Sequence, residues 1–176
     1  MIDREKLKEE IRNAFGDVEF PRHCGIRAAE LIDGWIDDKE LLANETKARD
    51  FCGHWWDVPE EHISGQSLGF NYLDAEGVEF YLPAFMVLAI NKPIYKNLYT
   101  LAYELVPTEE IELDGKGLYK YYCLKYSKII GLKRDITIKF MQYLVVALRE
   151  CTPDVPGWDG REVEKALSHE FWRASS

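Results

Sequence analysis

FYLPAFMVLAI, residues 80–90, is the most apolar run in the chain, and it carries a proline at position 83. Crossing a bilayer takes roughly 20 consecutive apolar residues. This run is much shorter, with Glu76 and Glu79 before it and Asn91-Lys92-Pro93 after it. It therefore reads as a buried core helix entered at Asp74, whose side chain can cap the first turn. Pro83 has no amide to donate and its ring crowds the carbonyl of Glu79, a cost of about 3 kcal/mol inside a helix. A kink at Pro83, or a split into two shorter helices, is the expectation.

Working outward, Leu7, Ile11, Ala14 and Phe15 recur at helical spacing over residues 3–15, with Gly16 as a stop. Residues 22–36 read as a second helix through Ile26, Ala29, Glu30 and Ile32. Asp37-Asp38 would cap a third over residues 39–51, and Asp57 with Glu60 has capping-box spacing. Residues 95–105 form a helix stopped by Pro107, and residues 133–149 a long one with a broad apolar face. Residues 118–130, LYKYYCLKYSKII, stay open between strand and helix, because aromatic content suits a strand while the apolar positions also fit a helix. Asp159 and Glu162 repeat the capping-box spacing before a last helix ending at Trp172. The fold class is mainly α: a single helical domain, residues 1–176, of six to eight helices. A short β element near 118–130 is allowed, and the amino-terminal helix (1–16) is free to sit at the periphery.

Composition narrows the function classes. The 176 residues carry 31 Asp and Glu against 22 Lys and Arg, a formal net charge of −9, and 13% are aromatic. Aromatic richness argues for a folded chain. Net negative charge repels phosphate backbones and anionic lipid, so nucleic acid is an unfavoured partner and no membrane is expected. The amino terminus is charged and amphipathic rather than a secretory signal, which makes the cytoplasm the expected address. There the four cysteines, Cys24, Cys52, Cys123 and Cys151, stay reduced.

Three pieces, Trp55-Trp56-Asp57-Val58-Pro59, Phe80 to Met86 with its Leu82-Pro83-Ala84 core, and Ala166-Leu167 followed by Phe171-Trp172, occur in order. This arrangement resembles a family of small bacterial proteins of unknown function. In it a tryptophan-bearing turn precedes an aromatic-Leu-Pro-Ala helix, and an Ala-Leu…Trp helix ends the chain. The likeness covers roughly residues 35–173. It departs at Leu132-Lys133-Arg134-Asp135, where the family often has Leu-x-x-x-Gln. The resemblance implies a fold and brings no activity with it.

Three constellations could carry chemistry. His54, Trp55, Trp56 and Asp57, with Glu79 and Tyr81, could wall a pocket and supply acid–base groups. The alternative is structural: Asp57 caps a helix and the indoles fill the core. His23, Cys24, Cys52 and His54 have zinc-compatible chemistry but lack paired spacing, so no metal or cofactor is expected. Lys116, Lys120, Lys125, Lys128, Lys133, Arg134 and Lys139 are interleaved with tyrosines, a pattern able to grip single-stranded nucleic acid. The same cations could equally neutralise the acidic amino-terminal third or meet an acidic partner.

Walker, G-x-G-x-x-G, G-x-S-x-G and H-E-x-x-H patterns do not occur, which lowers the expectation of an enzyme. The leading expectation is a protein-interaction module, of a neutralising or immunity type. Its aromatic residues would anchor the contact, and Asp37-Asp38, Glu40, Asp50, Asp57 and Glu60-Glu61 would steer a basic protein partner. A small-molecule enzyme or binder centred on His54, Asp57 and Tyr81 is the alternative, and nucleic-acid binding through residues 116–139 the third.

Overall fold

The computed structural model describes residues 2–36, 38–64, 67–107, 116–151 and 160–173. Among these are ten α-helices, a 3₁₀ turn at Trp55–Asp57 and no strand. The helices are α1 (Arg4–Ala14), α2 (Glu30–Asp33), α3 (Lys39–Arg49), α4 (Glu60–Ile63) and α5 (Ser67–Asn71). They continue as α6 (Ala75–Asn91), α7 (Tyr95–Leu105), α8 (Lys116–Lys125), α9 (Leu132–Cys151) and α10 (Arg161–Ala166). The count exceeds six to eight because short turns such as α2, α4 and α5 stand as separate helices. Among the described residues no helix is long and apolar enough to cross a membrane.

Local signals place the long helices. The Asp3 carboxylate accepts the amides of Glu5 (3.0 Å) and Lys6 (3.1 Å), and Asp38 does the same for Glu40 and Leu41. Asp74 accepts the amide of Gly77 at 2.8 Å, so the expected cap opens α6. α6 then runs unbroken through Pro83 to Asn91 instead of splitting there. Proline removes one hydrogen bond, whereas Phe80 through Met86 are all buried, and that apolar burial outweighs one missing amide. Each of α1 and α7 packs on both α6 and α9, closing a four-helix ring. α1 is part of this core: Leu7, Ile11 and Phe15 are fully buried.

Two other expectations are corrected. Residues 22–36 yield regular helix only at Glu30–Asp33. The amides that would have opened a longer helix are taken by α3 and the residue that follows it: Gly25 donates to Thr46 Oγ1 (2.8 Å), and Arg27 and Ala28 donate to the Asp50 carboxylate (3.0 and 3.3 Å). A Cβ at position 25 would stand 2.3 Å from Asp50 Oδ2, so only glycine lets the turn approach. The open β element at 118–130 is resolved as α8, whose spacing turns Tyr122, Lys125 and the following Tyr126 into the core together.

The Asp57–Glu60 capping-box pair also fails as a cap. Pro59, not Asp57, occupies the cap position of α4, and Gly160, at φ 85°, that of α10. Asp159 lies outside the described residues.

Candidate functional site

The carboxy-terminal end of α7 is where buried polar chemistry concentrates. A helix leaves its last carbonyls without amide donors, and here side chains from distant segments supply them. Tyr126 Oη donates to the Glu104 carbonyl (2.9 Å), while Tyr122 Oη (3.0 Å) and Trp172 Nε1 (2.8 Å) both donate to the Leu105 carbonyl. Phe171 packs edge-on against Tyr122, its ring centroid 5.0 Å away, and completes the aromatic wall.

Within this wall Lys125 Nζ meets Glu104 Oε2 at 2.7 Å, with both side chains 5% exposed. Lys125 also donates to the Asn71 carbonyl at 3.2 Å, and Tyr121 Oη reaches the same oxygen at 3.0 Å. Burial raises the Glu104 carboxyl above its ordinary range and lowers the Lys125 ammonium below its own, each opposed by the charge of the other. Beside the pair opens a cavity of about 570 Å³ between α5, α7, α8, α9 and α10. Tyr72, Tyr103, Tyr121 and Tyr122 line it together with apolar side chains including Ala102, Val106, Leu148 and Val163. A concave, mainly apolar space with a few buried polar groups is the usual form of a ligand site.

The first predicted constellation is divided among four places. Trp55 is buried in the core and donates to the Phe15 carbonyl at 2.9 Å. Trp56 stacks on exposed His54, with centroids 4.3 Å apart, under the guanidinium of Arg12, and Asp57 is exposed beside it. Glu79 pairs with Lys133 (2.7 Å) and Lys128 (3.4 Å). Tyr81 points elsewhere and donates to Asp50 Oδ1 at 3.1 Å. Helix residues two apart do not share a face, which separates Glu79 from Tyr81. Trp55, Trp56 and Asp57 do border an open concavity of about 690 Å³. Its lining includes side chains held in surface ion pairs, Lys8 with Glu5 and Glu60 with the neighbouring Lys92, which water solvates well.

The second constellation does not assemble a metal centre: among the described residues no three His, Cys, Asp or Glu side chains stand close enough to hold an ion. Cys24 is buried, and its thiol is pushed up to about 12 by burial and by the charges of Asp74 and Asp50. The basic stretch is largely engaged within the fold. Lys125 pairs with Glu104, Lys128 with Glu76 and Glu79, Lys133 with Glu79 and Asp17, and Lys139 with Glu10. Arg134 donates to the carbonyls of Phe171 and Arg173. Lys120 is exposed, and the side chain of Lys116 lies outside the described residues. Asp50 is not on the acidic surface: it is buried, and burial raises its carboxyl against the hydrogen bonds from Arg27, Ala28 and Tyr81.

A family model matches residues 3–153. The chain belongs to a family of unknown function (DUF6714). Comparison with curated proteins and with solved structures gives no match. The family segment holds α1 through α9, and with them Asn71, Glu104 and Lys125; the α10 wall of the cavity, with Gly160, Glu162 and Val163, follows it.

Sequence reasoning missed Glu104 and Asn71 and placed Lys125 on a surface patch. A signal existed. Glu104 follows Leu101 by three residues and Lys125 follows Tyr122 by three, so each charge falls on a helix's apolar stripe.

Proposed function

We propose that this DUF6714 protein binds a small, largely apolar molecule in the cleft at the carboxy-terminal end of α7. The observation that carries the reading is the Glu104–Lys125 pair, 5% exposed on both sides, at the edge of a cavity of about 570 Å³. Burying two charges costs more than an apolar pair of the same size. Such a pair beside a tyrosine-lined space gives a ligand both shape and orientation. The polar surroundings of Trp56, His54 and Asp57 offer a weaker hold. Nile red, an uncharged apolar dye, tests the reading: its emission should rise on adding the full chain. The rise should be lost in Ala102→Phe, which fills the cleft from α7, once circular dichroism shows the variant folded. No rise, or a rise indifferent to Ala102→Phe, refutes the reading.

A second reading, a protein-contact surface, is favoured by the tyrosine row on α7. Tyr95 and Tyr99 stack with centroids 5.5 Å apart, Tyr103 continues the row, and Tyr95 and Tyr103 are exposed. Aromatic side chains of this kind anchor interfaces. A partner retained from native lysate by the wild type and released by Tyr95→Glu with Tyr103→Glu would support it; recovery of the same proteins by both forms would remove it.

A further inference from the structure

We infer that the ligand of the α7 cleft is a small organic cation: an amine carried on an apolar body about the size of a phenyl ring. This rests on the reading of the cleft as a ligand site.

Glu104 is the first reason. It is 7% exposed, lines the cavity and spends Oε2 on Lys125, and among the described residues Oε1 has no hydrogen-bond partner. A carboxylate oxygen at a cavity wall can accept a further hydrogen bond, and an ammonium group brings donors together with the complementary charge. Glu162 on α10 is the second. It lines the same cavity, so among the described lining residues the charged groups are two carboxylates, Glu104 and Glu162, against one ammonium, Lys125. The third is α7 itself. This helix of 11 residues ends at Leu105, between the lining residues Glu104 and Val106, and a helix carboxy terminus carries partial negative charge, which the tyrosine and tryptophan donors offset in part. Tyrosine rings add to this, because aromatic faces attract cations.

Lys125 already illustrates the preference of the region. Its ammonium is held by a carboxylate and a carbonyl and lies 5.0 Å from the Phe70 ring centroid and 5.9 Å from that of Tyr126. A second ammonium, on a ligand, would meet groups of the same kind at the free side of Glu104. An anionic ligand would instead face Glu162, the unmatched Glu104 oxygen and the negative helix end.

Three probes of nearly one shape and different charge decide the matter: phenethylamine (cation), 2-phenylethanol (neutral) and 3-phenylpropionate (anion). Each is titrated into the full chain at neutral pH by calorimetry and by amide NMR shifts at Asn71, Tyr103, Tyr121 and Val163. Phenethylamine should bind at least about tenfold more tightly than 3-phenylpropionate, since electrostatic complementarity sets such preferences. The exposed Glu162→Gln should weaken it several-fold without affecting the fold. Glu104→Gln combined with Lys125→Met, which leaves no charge stranded, should do the same. Equal or tighter binding of the neutral or anionic probe overturns the cation assignment and leaves the cleft as a ligand site. Binding of phenethylamine that neither set of variants weakens also overturns it. Failure of all three probes to shift the cleft amides overturns both the assignment and the reading beneath it.

Discussion

Lys125→Met tests the energetic logic of the cleft without adding bulk, since methionine keeps most of the lysine stem packing. The substitution strips Glu104 of the ammonium 2.7 Å from Oε2 in a site where both side chains are 5% exposed. A carboxylate buried alone escapes by binding a proton. Taking a glutamate from its ordinary pKa near 4.3 to the neutral form costs about 3.7 kcal/mol at pH 7 and about 1 kcal/mol at pH 5, at 1.36 kcal/mol per unit. The lost bond to the Asn71 carbonyl adds about 1 kcal/mol, held down because Tyr121 still donates to that oxygen. The loss relative to wild type should therefore be about 5 kcal/mol at pH 7 and about 2 kcal/mol at pH 5, the former at the upper end of the range for breaking a buried pair.

The direction follows from proton linkage. A carboxyl whose folded pKa is raised binds more protons in the folded state, so its stability contribution falls as pH rises from the ordinary carboxylate value through the folded one. Burial already raises Glu104 in the wild type, and removing Lys125 removes the opposing charge. Urea denaturation followed by far-ultraviolet circular dichroism at pH 5, 6, 7 and 8 reads the difference. Glu104→Leu with Lys125→Met, which removes both charges, should recover most of the loss. A loss below about 1 kcal/mol at pH 7, or one that does not change with pH, refutes the reasoning.

Three further outcomes are expected. Trp35, 96% exposed and held at φ 64°, has the backbone strain of a left-handed residue and little packing to lose, so Trp35→Gly should raise thermal stability by about 0.5–1 kcal/mol; a lower melting temperature contradicts this. Asp50→Ala should cost about 3 kcal/mol or more in chemical denaturation, because it leaves the Arg27 and Ala28 amides and Tyr81 Oη without their acceptor; a cost below about 1 kcal/mol contradicts it. Iodoacetamide at pH 8 should label exposed Cys52 and Cys151 well ahead of buried Cys24, whose thiol is pushed up to about 12, as peptide mass spectrometry can show.

The parts of the fold legible in the sequence are those encoded within a few residues. α1 and α9 follow from apolar spacing, and Asp38 and Asp74 mark the starts of α3 and α6 because a cap acts on amides two or three residues away. Residues 22–36 misled because the groups that interrupt them, Thr46 of α3 and Asp50 just after it, come more than twenty positions later. Residues 118–130 stayed open between strand and helix because tyrosines suit strands, and nothing local reveals that Tyr122 and Tyr126 reach back to the end of α7. The cleft was illegible for the same reason. Glu104 and Lys125 are 21 residues apart, and Trp172 lies 67 from the carbonyl it caps, distances at which no short pattern survives. The tryptophan turn stood out by composition, but adjacent side chains there serve opposite surroundings: Trp55 the core, Trp56 the solvent-facing stack.

The side-chain capping of α7 has a consequence for how the cleft opens. α10 packs on α7 and α9, outside the contacts that close the ring of α1, α6, α7 and α9. Trp172, beyond α10, holds only the Leu105 carbonyl by its indole nitrogen, an oxygen that Tyr122 also serves. Releasing this carboxy-terminal arm therefore exposes one wall of the cavity while the ring stays folded and Leu105 keeps a donor. Segments outside the central packing open locally at less than the cost of global unfolding, and opening here gives up the Arg134 bonds to the Phe171 and Arg173 carbonyls and the burial of the Trp172 ring. Access to the cleft then follows the fraying of one short segment, and amide hydrogen exchange would register it as early exchange in α10 ahead of α6 and α9.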